Sequence, residues 1–193
     1  GLDNFDDSWG IWGHNLRKVL GEDAERVYAT SHGETDGSQL CFSSAEMYRL
    51  IEGYILNNFG EKGNFRFVIA PDDNPHACTC ADCTAMGNTE KNATPAVTGL
   101  ILKLANRFPN HFFFTTSYLS TQQATDKQLP PNAGVIISAM DLPLRRIDTS
   151  GIGAQEKKFI QQLENWKKVT KNIYIWDYIN NFDDYLTPFP VLK

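Results

Sequence analysis

Residues 65–83 read FRFVIAPDDNPHACTCADC, an apolar run that ends in two adjacent carboxylates and is followed by Cys78, Cys80 and Cys83. Phe67, Val68, Ile69 and Ala70 in succession leave no side of a strand for water, so a strand buried on both faces is expected over 67–70. Pro71 stops it, because proline brings no N–H to a ladder. Asp72, Asp73 and Asn74 therefore stand where a strand gives way to a loop, the place at which parallel α/β proteins bind ligands.

Working outward, residues 8–14 (SWGIWGH) read as a short strand that presents His14 and Asn15 at its end. Residues 27–38 are polar, rich in Ser, Thr, Gly and Asp, and are expected to be turn or loop; residues 39–43 (QLCFS) read as a second short strand. Ser43 or Ser44 followed by Glu46 opens a helix whose Met47, Leu50, Ile51, Tyr54 and Ile55 share one face and which ends near Gly60. Thr94-Pro95 opens another, with proline at the first helical position and Val97, Leu100, Ile101, Leu104 and Phe108 toward its core. Strands are expected over 111–118, 135–140 and 173–177, and a helix over 156–169. The connection over 118–134 carries Pro130-Pro131 and is too broken for a full crossover helix.

Strands alternating with helices favour a parallel sheet. No G-x-G-x-x-G or Walker pattern follows any of the six strands, which argues against a dinucleotide-binding fold. The expected fold is α/β, a partial (β/α)8 TIM-barrel-like domain of mainly parallel strands over 1–193. A whole barrel takes about 250 residues, so the chain holds most of one. Gly1 in place of Met, and an end straight after a strand-like run, are what a piece of a longer protein would show.

The chain has 193 residues, of which 41% are hydrophobic and 12% aromatic, enough for a core. A formal charge of −5 with scattered basic residues excludes the clustered Lys and Arg of a nucleic-acid binder. No apolar run approaches the roughly 18 residues of a membrane span, and the N-terminus shows no signal-peptide pattern.

Three groups fall at strand ends: Trp12-Gly13-His14-Asn15, Asp72-Asp73-Asn74 and Trp176-Asp177-Tyr178. In a closed barrel such ends converge on one rim. Aromatic faces stack on a pyranose while carboxylates bind its hydroxyls, so the rim suits a carbohydrate. It also suits glycosidic cleavage, which uses one carboxylic acid to protonate the leaving oxygen and a second carboxylate as nucleophile or base. Asp73, at the end of the most apolar strand, is the expected acid, more buried than its partner Asp177. His14, Trp12, Asp72, Asn74, Tyr118, Trp176 and Tyr178 are the expected substrate contacts, and no catalytic cofactor is called for. The competing reading makes Asp72 or Asp73 a turn residue before Asn74-Pro75, and makes Trp12 and Trp176 core.

Cys78-x-Cys80-x-x-Cys83 is spaced to fold several thiolates around one ion, and Cys41 ends a strand expected to neighbour the organising one. Two readings stay open: a structural four-thiolate zinc site, with His76 as an alternative ligand, or two disulfides in one of three pairings.

These residues also carry a resemblance. QLCFSS from Gln39, IAPDDNPHACTCADC, ANRFPN, TTSYLS, Pro130-Pro131-Asn132 and YIWDYINNFDDYLTPFP, in this order, resemble domain-of-unknown-function family 4838, large bacterial proteins linked with glycan use. The resemblance implies a glycoside-hydrolase-type barrel distantly similar to β-N-acetylhexosaminidases and α-glucuronidases, and a periplasmic or extracellular, surface-associated location. It places the family's strand-end acid at Asp73, its cysteines at Cys41, Cys78, Cys80 and Cys83, and its W-D-Y at Trp176, Asp177 and Tyr178. Hexosaminidases carry an Asp-Glu pair at the catalytic strand, where this chain has Asp72-Asp73. The function expected is therefore a glycoside hydrolase or related glycan-active enzyme, against a non-catalytic carbohydrate-binding domain or a cysteine- or zinc-stabilised structural domain.

Overall fold

Phe67, Val68, Ile69 and Ala70 are all fully buried, as four apolar residues in succession require. The computed structural model describes residues 8–140, 142 and 153–177. Within them the order is β1 (Trp9–Ile11), α1 (Leu16–Leu20), a 3-10 segment (Gly21–Val27), β2 (Tyr28–Ser31), β3 (Glu34–Leu40), α2 (Ala45–Asn58), β4 (Arg66–Val68), α3 (Ala81–Ala85), α4 (Thr94–Arg107), β5 (Phe112–Ser117), β6 (Ala133–Ser138), α5 (Ala154–Lys167) and β7 (Asn172–Trp176). The fold is mixed α/β around a five-stranded sheet of order β1-β4-β5-β6-β7, every pair parallel.

Sequence chemistry sets the main helices. Ser44 caps α2 by accepting from the N–H groups of Glu46 and Met47, and Met47, Ile51 and Ile55 are buried. Gly60, at φ +70°, lets its N–H turn back onto Ile55 O at 3.0 Å and closes that helix. The amino end of α4 is closed from outside: Asn92 Oδ1 accepts from Thr94 N at 3.1 Å and Asn88 Oδ1 from Ala96 N at 3.0 Å. The α4 helix is apolar almost all round, so it lies deep in the core.

Alternation along the strands separates two faces. Phe67, Ile69 and Phe113 join the large cluster with α2 and α4, while Val135 and Ile137 meet Trp166 of α5. Val68, Ala70, Phe114 and Ile136 point the other way, into a cluster completed by Trp9, Trp12, Phe112 and Trp176 that contains no helix residue. Among the described residues the helices are thus gathered on one face of the sheet.

Three expectations change. The stretch 27–38 is not loop: β2 and β3 pair antiparallel through a two-residue tip, His32-Gly33, with both φ positive. Its residues are polar and mostly exposed, so no apolar alternation marked it. Residues 39–43 accordingly end this hairpin and do not enter the main sheet, which among the described residues has five strands where six were expected. Among the described residues the sheet is not closed. The connection after β5 does lack a helix, holding only a 3-10 turn at Leu119–Thr121.

Candidate functional site

At the carboxyl ends of the strands, β1 gives way to Trp12, Gly13 and His14, β4 to Pro71, β5 to Tyr118, and β7 ends on Trp176. His14 Nδ1 donates to Pro71 O at 2.6 Å, since a carbonyl only accepts, which ties the end of β1 to the end of β4. That bond fixes the tautomer and leaves Nε2 as the acceptor of the neutral ring. The His14 ring lies 5.9 Å from Tyr118 and 6.1 Å from Trp176, and Trp12 lies 6.1 Å from Trp176. Trp9 continues the aromatic surface, 4.7 Å edge-on from Trp12. His14, Trp12, Tyr118 and Trp176 are each half-buried. Four of the expected contact residues are therefore brought together, and they belong to three strand ends.

The carboxylates divide. Asp72 Oδ2 accepts from Arg17 Nε at 2.6 Å, with a second guanidinium nitrogen at 2.5 Å, and only 16% of its side chain is exposed. Arg17 in turn covers the Tyr28 ring at 5.0 Å. Gln39, 1% exposed, binds the backbone of Asp72 at both groups: its Oε1 accepts from Asp72 N at 2.9 Å and its Nε2 donates to Asp72 O at 3.3 Å. The same Nε2 donates to Asn74 Oδ1 at 3.2 Å, and Asn74 Nδ2 donates to Ser38 O at 2.8 Å. Asp72 and Asn74 are thus occupied in holding the loop.

Asp73 is exposed, contrary to the expectation of a buried acid. Asn74 N donates to Asp72 O at 2.7 Å, and the three-residue turn so formed leaves Asp73 at its tip, facing water. Asp177 follows Trp176 and is also exposed. Tyr178 lies outside the described residues. Arg17 and Gln39 escaped the sequence reading. Arg17 sits on a five-residue helix too short to show periodicity, and only the proximity of Gln39 to Cys41 could have drawn attention to it.

The four cysteines form one cluster. Their sulfurs lie within 4.8 Å of one another, with Cys41 Sγ 3.7 Å from Cys80 Sγ and 3.8 Å from Cys83 Sγ. All four are free thiols. Four sulfurs at about 2.3 Å from a zinc ion form a tetrahedron with edges near 3.8 Å, so the donor set fits a tetrathiolate metal centre. Neighbouring groups surround the sulfurs: Thr30 N donates to Cys78 Sγ at 3.2 Å, and Cys83 N to Cys80 Sγ at 3.5 Å. Ser43 Oγ lies 3.3 Å from Cys41 Sγ, 3.6 Å from Cys80 Sγ and 3.1 Å from Cys83 Sγ. His76 is not among the ligands; it is exposed, 3.2 Å from Ser38 Oγ and 3.6 Å from Asp36.

The thiols share charge. Hydrogen bonds from Cys78, and then Cys83, hold Cys41 far below the ordinary thiol range against the opposing effect of burial. The same bond with Cys41 pushes Cys78 up to about 11, and Cys83 is driven up by Cys41, Cys78 and burial. Proton loss is thus favoured at Cys41, and a metal held here would have to displace the protons of its neighbours.

The model of the family described as Domain of unknown function (DUF4838) matches residues 19–193. The chain belongs to the DUF4838 family. No curated protein matches it. The matched span of this DUF4838 chain takes in all four cysteines, Gln39, the loop after β4, Tyr118 and Trp176. It leaves out β1, Trp12, His14 and Arg17, so half of the aromatic rim and the partner of Asp72 lie before it.

Proposed function

We propose that this DUF4838 chain is the strand-sequential part of a (β/α)8-like barrel whose rim binds carbohydrate in a glycoside hydrolase or related glycan-active enzyme. The barrel is supported by topology. Strand order equals chain order and the helices gather on one face, whereas a doubly wound sheet reverses its order and has helices on both. Parallel sheets are covered on both faces, and the aromatic face here carries Tyr174 at 44% exposure, as an incompletely enclosed interior would.

The observation that carries the functional reading is the contact of His14, Trp12, Tyr118 and Trp176 across three strand ends. In this account Trp12, Trp176 and Tyr118 offer ring faces to a sugar, and His14 Nε2 accepts from a hydroxyl. Asp73 acts as acid and Asp177 as the second carboxylate, while Asp72 and Asn74 hold the loop between them. Tyr178 joins the substrate contacts. The four cysteines hold a structural zinc, closed to substrate because all four positions are filled by sulfur. A periplasmic or extracellular, surface-associated location belongs to the same reading, and the net charge of −5 favours a neutral sugar over nucleic acid.

A second reading, a carbohydrate-binding domain without chemistry, draws on one observation. Glycosidases that work near neutral pH seat one carboxyl group in an apolar setting, and both Asp73 and Asp177 are exposed. Asp73→Asn separates the two, because it keeps shape and removes the proton donor. Lost turnover with intact binding of an identified glycan supports the enzyme; unchanged turnover removes Asp73 from the chemistry.

A further inference from the structure

We infer that the metal-loaded cysteine cluster sets the position of rim residues 72–74, so that carbohydrate binding depends on a zinc ion that does not touch the sugar. This rests on the carbohydrate reading above for its ligand, and on the described geometry for its coupling.

Residues 72–77 hang between two anchors, and both belong to the β2–β3 hairpin. At one end the buried Gln39 amide grips Asp72 N and O and Asn74 Oδ1. At the other, Cys78 Sγ takes the N–H of Thr30, and Thr79 N donates to Thr30 O at 2.7 Å. Gln39 and Cys41 sit on one short stretch at the end of β3, so whatever fixes Cys41 fixes the grip on Asp72.

The hairpin needs such a fixing. A two-stranded ribbon is marginal on its own, and β3 buries only Gln39 and Leu40 of its seven residues. The cluster is where its base meets the rest of the loop. Cys41 comes from the hairpin, Cys78 from the end of segment 72–77, and Cys80 and Cys83 from the start of α3. Without metal the sulfurs themselves meet only through S–H contacts of 3.7 to 3.8 Å, weak beside the Gln39 and Thr30 bonds that also join hairpin and loop. With metal they are joined by four metal–sulfur bonds, and the base of the hairpin becomes one body with the loop. Ser43, in contact with three of the sulfurs, orients them from outside the coordination shell.

The test compares the full chain loaded with zinc and stripped by a chelator, following amide hydrogen exchange at Asp72 and Thr79, with Phe113 of β5 as the internal reference. Stripping should speed exchange at Asp72 and Thr79 by about tenfold or more while Phe113 stays protected, since local opening leaves the sheet intact. Glycan affinity should fall in the same titration. Gln39→Ala should bind about one zinc per chain yet exchange Asp72 about fivefold faster in either state, because the acceptor of its N–H has been removed. Ser43→Ala should weaken zinc binding about 10- to 100-fold.

Unchanged exchange at Asp72 on stripping overturns the inference, as does a chain that takes up no zinc. Loss of protection at Phe113 together with Asp72 also overturns it, because the metal would then support the whole fold and not this loop. Metal-dependent protection at Asp72 in a chain that binds no glycan upholds the coupling and removes the carbohydrate reading.

Discussion

Replacing Arg17 by alanine strands the Asp72 carboxylate. Asp72 has two guanidinium contacts, at 2.6 and 2.5 Å, and its side chain is 16% exposed against 31% for Arg17. Exposed pairs contribute about 0–1 kcal/mol, whereas breaking a buried pair costs about 3–5 kcal/mol. This half-sheltered pair falls between, so Arg17→Ala should destabilise by about 2 kcal/mol. For a chain of this size that lowers Tm by roughly 4–8 °C. Most of the cost is the uncompensated carboxylate and not the lost attraction, which makes a second variant informative. Adding Asp72→Asn to Arg17→Ala should restore roughly half of the loss, since a neutral amide needs no counter-charge and Gln39 still holds its backbone. Thermal and urea unfolding followed by circular dichroism, with the urea slope unchanged, give both numbers. If Arg17→Ala melts within about 1 °C of the parent, or the double variant is no more stable than Arg17→Ala, Asp72 is not held by this pair and its assignment to the scaffold fails.

Three further outcomes follow from other parts of the molecule. Gly134 packs against β7 so closely that a Cβ there would lie 2.2 Å from Asn172 O, so Gly134→Ala should cost about 2–3 kcal/mol and, by prying β7 from β6, disturb the fluorescence of Trp176. If the cluster takes zinc as proposed, the ion displaces the protons that Cys78, at about 11, and Cys83 hold strongly; affinity should therefore fall as pH falls, by about tenfold per pH unit for each proton displaced, read by competition with a chromophoric chelator between pH 8 and about 5. Ile51→Ala, at a fully buried position of α2, should cost about 3 kcal/mol in urea unfolding without changing metal content, because it removes core volume and no sulfur ligand.

What the sequence disclosed follows from which forces leave a local mark. The α2 and α4 helices declared themselves because Ser44 and Pro95 mark their starts and their apolar residues recur at helical spacing. The organising strand was legible because burial on both faces demands an unbroken apolar run. The hairpin was not, since its residues are mainly polar and show no apolar alternation, and so read as loop. The same limit applies to the site. Strand ends predicted that His14, Trp12, Tyr118 and Trp176 would meet, and chain order predicted that Cys41 would join Cys78, Cys80 and Cys83. Which of two adjacent aspartates turns inward depends on Arg17 and Gln39, each more than thirty residues from Asp72 in the chain, and no local pattern encodes that choice.

The most direct test of the carbohydrate reading is a titration of the zinc-loaded chain, as wild type and as Trp176→Ala, against a panel of complex oligosaccharides, followed by tryptophan fluorescence and calorimetry. The account predicts saturable binding of at least one glycan by the wild type, weakened about tenfold or more in Trp176→Ala, with Tm lowered by no more than about 3 °C, because a ring that serves as a platform contributes more to the ligand than to the core. Absence of binding across the panel, or a variant that loses its fold along with its affinity, would contradict it.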